Sequence, residues 1–126
     1  MVVVGTPEPV RLDRFLADHP VPPADPLLAV KVGETASASY HVIQVRTMER
    51  PHVHQDHDAL VTLLRGNGEL HLGDRVLSLR CGDTVSIPRG TPHWFVNGSR
   101  HPAVAFATFS PPYDGRDMVP VEPAAH

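Results

Sequence analysis

The stretch Gly82-Asp83-Thr84-Val85-Ser86-Ile87-Pro88-Arg89-Gly90-Thr91-Pro92-His93-Trp94-Phe95-Val96-Asn97 decides how the rest of the sequence is read. Gly82-Asp83 signals a turn, Thr84 to Ile87 is a short β-prone run, and Pro88-Arg89-Gly90 signals a second turn. His93 to Val96 is another β-prone run, and Asn97-Gly98 turns the chain again. Side chains alternate between the two faces of a strand, so Trp94 and Phe95 point to opposite sides and one of them faces inward.

The same punctuation runs outward from this stretch. Turn signals at Glu49-Arg50-Pro51, Gly66-Asn67-Gly68 and Gly73-Asp74 separate runs at Tyr40 to Thr47, Leu60 to Leu64, Glu69 to Leu72 and Arg75 to Leu79, and Ala103 to Phe109 follows the last turn. Regular short strands of this kind predict an all-β fold closed into a sandwich or barrel. The run Leu60-Val61-Thr62-Leu63-Leu64 is apolar on both faces, so its outer face is expected to meet a second sheet or another subunit, and a homodimer is the expected assembly. Val2-Val3-Val4 has no evident home within its own chain and is expected to add an edge strand to the partner's sheet. Upstream of the barrel, Leu12, Phe15 and Leu16 at helical spacing predict a short helix or turn within Val10 to Ala17 that plugs one barrel end. The tail Ser110-Pro111-Pro112-Tyr113-Asp114-Gly115 reads as irregular, lying across a barrel rim.

With 126 residues the chain is sized for one domain around one core: a barrel over about residues 40–109, an N-terminal arm over 1–39 and a tail over 110–126. The net charge of -3 and the scattered basic residues argue against nucleic-acid binding and leave a small-molecule partner as the expectation. No apolar run is long enough to span a membrane, and Val2-Val3-Val4 is too short for an export signal, so a cytoplasmic protein is expected. The lone Cys81 excludes an internal disulfide framework. Ten arginines against one lysine, with 14 prolines, suggest a GC-rich bacterial source.

Four of the nine histidines fall in two short segments, His52-Val53-His54-Gln55-Asp56-His57-Asp58 and Pro92-His93. Residues two apart on a strand share a face, so His52 and His54 project together into whatever the sheet encloses. Neutral imidazoles at that spacing bind divalent first-row metals and need further ligands from elsewhere in the fold, for which His93 and a residue near position 58 are the candidates. His19, His41, His71, His101 and His126 have no partner at ligand spacing. No Ser-His-Asp arrangement, phosphate-cradling glycine loop or Cys-His pair is recognisable, which removes support for covalent nucleophilic catalysis.

The pattern Gly82-x5-Pro88-x-Gly90-x2-His93-x3-Asn97 resembles the second motif of the cupin superfamily at every fixed position, and His52, His54 and the turn glycine Gly66 resemble the first. The resemblance covers roughly Tyr40 to Phe109. It implies a cupin double-stranded β-helix, a conical jelly-roll barrel, with one divalent transition metal (Fe, Mn, Ni, Cu or Zn) held by His52, His54 and His93. The chain departs from the family at the glutamate of the first motif: one spacing puts Ala59 there, the other Asp58. Three histidines with water, three with Asp58, or three with His57 are the ligand sets left open.

Three protein ligands leave coordination positions open to substrate, the mark of a catalytic rather than a structural metal. The resemblance therefore implies a small-molecule metalloenzyme of dioxygenase, isomerase, lyase or cyclase type, with the reaction and the catalytic residues undetermined. The alternatives are a non-catalytic ligand-binding or sensing barrel, and a metal-free sugar epimerase or isomerase using a pocket histidine as acid or base. Tyr40, Gln44 and Arg46 on the strand before the first motif, with Trp94 and Phe95 after His93, are the candidate pocket residues.

Overall fold

The computed structural model describes residues 8–115 and 118–121. Ten strands and one helix follow one another as α1 (Leu12–Asp18), β1 (Leu27–Glu34), β2 (Ser39–Val45), β3 (His52–His54), β4 (Asp58–Arg65), β5 (Asn67–Leu72), β6 (Arg75–Arg80), β7 (Thr84–Ile87), β8 (His93–Asn97), β9 (Ala103–Ser110) and β10 (Met118–Pro120). Every pairing is antiparallel. The strands form two five-stranded sheets, ordered β1-β2-β9-β4-β7 and β10-β3-β8-β5-β6. The all-β expectation holds, with the predicted runs lying within β2 and β4 to β9 to within one or two residues at their ends.

Period-two alternation decides what lies between the sheets. Ala59 and Leu63 of β4, Leu70 of β5, Ile87 of β7, Phe95 of β8 and Ala103, Ala107 and Phe109 of β9 form one buried cluster. Their chain neighbours on β4, Asp58 and Leu60, face outward, and Leu60 is 50% exposed. The inward side of β9 carries Ala103, Ala105 and Ala107, and these small side chains leave space beside them that larger ones would fill.

Three features depart from the sequence reading. β1, paired to β2 with a bulge between Lys31 and Gly33, comes from a stretch of the arm where no strand is expected from the sequence. β10, paired to β3, lies in the tail beyond Gly115, where no strand is expected from the sequence. Gly66-Asn67-Gly68 is not all turn: Gly66, with φ +85°, makes the bend, whereas Asn67 and Gly68 already belong to β5. The short helix expected within Val10 to Ala17 is α1, and its Asp13 pairs with Arg65 of β4. The triplet Val2-Val3-Val4 lies outside the described residues. Among those residues, no helix is long and apolar enough to cross a membrane.

Candidate metal centre

His52 and His54 stand on the same face of β3, and β8 lies beside that strand with His93 in register with His52. All three are buried, and one ligand atom from each lies within 4.8 Å of the others. The Arg50 carbonyl accepts a hydrogen bond from His52 Nδ1 at 2.7 Å, and the Thr91 carbonyl accepts one from His93 Nδ1 at 3.0 Å. With Nδ1 carrying the hydrogen, the Nε2 lone pair of each ring is left to the interior. Such outer hydrogen bonds fix the tautomer and orientation of metal-binding imidazoles.

These rings must also be neutral to bind a cation. Burial lowers His93 from the usual 6.5 to about 4, against a smaller upward pull from its hydrogen bond to Thr91, while His52 and His54 lower it further. The three donor atoms already lie within 4.8 Å of one another and would close further around an ion that each holds at about 2.1 Å. The donor set fits a divalent first-row metal.

The histidines open into a cavity of about 70 Å³, several times the roughly 10–15 Å³ that one water requires. Its wall is apolar apart from those three rings and Glu49. Glu49 lies in the segment between β2 and β3 that the sequence suggested was only a turn. Its backbone N–H donates to the Phe95 carbonyl at 2.9 Å, and its Oε1 accepts the Phe95 N–H at 3.0 Å. Burial pushes the carboxyl above its ordinary range, while His52 pulls it back down.

Asp58, a candidate fourth ligand, stands on the outer side of β4. It accepts hydrogen bonds from the Arg89 backbone at 2.9 Å, from Nε at 3.2 Å and from Nη2 at 3.1 Å. Those bonds hold its carboxyl below the usual range, and the side chain is 54% exposed. The strand period turns Ala59 inward at that point, so Asp58 is directed away from the cluster. His57 is buried but separate: its Nε2 donates to the Pro112 carbonyl at 3.0 Å, and its ring packs edge-on against Tyr113.

Of the candidate pocket residues, Phe95 lines the cavity, and Trp94, on the other face of β8, stacks on His71. Tyr40, Gln44 and Arg46 do not line it. Ile43 and Val45 are the β2 residues that do, whereas Tyr40 stacks on Phe106, Gln44 Nε2 donates to the His19 carbonyl, and Arg46 Nη2 donates to the Val21 carbonyl. Gln44 and Arg46 thus fasten the N-terminal arm across the outer side of β2. The sequence carries no mark of this, because both faces of β2 are covered and polarity does not separate them.

Beside the centre, Ser39 Oγ accepts the Tyr113 N–H at 2.8 Å and donates to His41 Nε2 at 2.8 Å. The pair ties the tail to β2 and sets the Tyr113 ring against His54 at 5.3 Å. Burial and then the Lys31 ammonium lower His41 to about 4, with Glu34 opposing. A histidine depressed on folding contributes stability that is complete above about pH 6.5 and lost as pH falls from there towards 4, because the unfolded chain takes up the proton first. In the metal-free protein, His41→Gln is expected to reduce the loss of stability between pH 7 and pH 5 by about 1–2 kcal/mol, read from urea midpoints at the two pH values. An unchanged loss would show that His41 does not titrate in that window.

Comparison with known proteins adds to this geometry. The cupin domain family profile matches residues 39–109. A protein of Aquifex aeolicus is 42% identical over 93 residues, covering 74% of this chain and 76% of that one. An acireductone dioxygenase of Gluconobacter oxydans is 31% identical over 131 residues, covering 82% of this chain and 68% of the relative. Among solved structures, a protein with a double-stranded beta-helix domain from Klebsiella pneumoniae superposes with a TM-score of 0.71 at 21% identity, over 86% of this chain and 95% of that one. That likeness is one of fold.

Proposed function

This chain belongs to the cupin domain family, and from that membership we propose that it is a metal-dependent enzyme of dioxygenase type acting on a small molecule at His52, His54 and His93. The observation that carries the proposal is the convergence of three buried imidazoles whose outer nitrogens, at His52 and His93, are tied to backbone carbonyls. The likeness to acireductone dioxygenase over most of the chain supports the reaction class and makes acireductone the first substrate to try.

The residues divide the work. The three imidazoles would hold the ion as neutral donors, and the ion, when bound, supplies Lewis acidity and a place for dioxygen chemistry. Ile43, Val45, Val61 and Phe109 line the cavity, exclude water and would receive the apolar part of a substrate. Tyr113, fixed through Ser39, packs against His54 and holds that ring in place.

Apoprotein reconstituted separately with Fe(II), Ni(II) and Mn(II) is expected to consume oxygen in the presence of acireductone, at a rate at least tenfold above the uncatalysed oxidation, with at least one of the metals. An oxygen electrode gives the answer directly. Metal-loaded protein that leaves the background rate unchanged with acireductone and a panel of small ene-diols would overturn the dioxygenase reading.

A further inference from the structure

We propose that Glu49 supplies the negative charge of the metal centre, in place of the carboxylate that the first cupin motif carries and that this chain lacks. The inference rests on the three-histidine centre proposed above. Ala59 faces inward where a motif glutamate would stand, and Asp58 is committed to Arg89 on the outside. Three neutral imidazoles would leave the full double charge of an ion uncompensated inside an apolar cavity, where such a charge is costly. Glu49 is the acidic residue among those lining the same cavity.

Its position is rigid. Hydrogen bonds from the backbone and the side chain fasten it to Phe95, two residues beyond His93, and the chain then runs three residues to His52. Oε1 accepts the Phe95 N–H, and the side chain is half-buried. A carboxylate partly withdrawn from water beside a largely apolar wall is costly unless a cation offsets it. A cation held by the neighbouring histidines would do so, and none of the lining side chains is a lysine or arginine.

The competing account is that Glu49 only clamps the backbone of β8. Glu49→Gln separates the two, because the amide keeps an oxygen for the Phe95 N–H and loses the charge. The test is competitive Zn(II) titration of apoprotein against a chelator, for wild type, Glu49→Gln and Glu49→Asp, with thermal melts of the metal-free forms. The expected result is Zn(II) affinity 10–100-fold weaker in Glu49→Gln, an apoprotein melting at least as high as wild type, and partial recovery in Glu49→Asp. Wild-type affinity in a folded Glu49→Gln overturns the proposal and leaves the histidine centre standing. Wild type that binds no Zn(II) overturns both. A measurement on the wild type needs no variant to fold: the Glu49 side-chain carboxyl resonance, followed by ¹³C NMR, should shift on Zn(II) addition, and an unmoved resonance also overturns the proposal.

Discussion

His93→Ala is expected to weaken metal binding by more than about a hundredfold, so that protein purified and dialysed with the wild type retains no stoichiometric metal. Disturbing only the groups that orient metal ligands costs about 10–100-fold, and removing a ligand atom should cost more. The loss cannot be made up locally, because His52 and His54 occupy the inward positions of β3 and the next histidine, His57, is engaged with Pro112. The barrel should survive, since the imidazole's hydrogen bond goes to its own turn at Thr91 and β8 keeps its ladder to β5. Asp58→Ala is the control, expected to keep the wild-type metal content because its carboxylate faces Arg89 outside the barrel. Elemental analysis of the two variants beside wild type decides the matter. Metal retained in His93→Ala, or lost in Asp58→Ala, would show that the centre is not built from the three histidines.

The histidines were legible in the sequence for a physical reason. A ligand pair two residues apart on a strand must share a face whatever the rest of the chain does, and a turn closed by Pro88 and Gly90 delivers the third. Facing was legible only where one side of a strand meets water. On β4, exposed Asp58 and Leu60 alternate with buried Ala59, and the parity follows. On β2, the arm from His19 to Pro22 covers the outer face through Gln44 and Arg46, so Tyr40, Gln44 and Arg46 looked no less suited to the cavity than Ile43 and Val45. Glu49 was hidden differently. It sits in a Glu-Arg-Pro turn signal, where a charged residue is ordinarily solvated, and only its pairing with Phe95, 46 positions away, turns it inward. Edge strands β1 and β10 share that dependence on distant pairing.

The glycines show the same division and yield the sharpest prediction for the fold. Gly68→Ala is expected to destabilise the protein by at least about 3 kcal/mol, beyond the usual range for a single added methyl in a packed site. A Cβ at Gly68 would lie 2.3 Å from the Val96 carbonyl oxygen and 2.4 Å from the tip of the Phe95 ring. The ring could turn aside. The carbonyl belongs to β8, which pairs with β5 through this very segment, and it cannot retreat without breaking that ladder. Gly90 makes the contrast: it is a motif glycine with φ +81°, but an added Cβ there meets nothing within 4 Å, so Gly90→Ala should cost only the backbone strain, about 1–2 kcal/mol. The motif glycine is recognisable because a turn must bend there, whereas Gly68 is needed because two strands approach closely, which no local pattern announces. Because Phe95 also carries Glu49, any displacement of β8 in Gly68→Ala should loosen the metal centre as well. Chemical denaturation of the two variants, with Zn(II) titration of whichever remains folded, measures both effects. If Gly68→Ala proves no less stable than Gly90→Ala, the close approach of β5 to β8 is wrong, and with it the placement of Phe95 beside the centre.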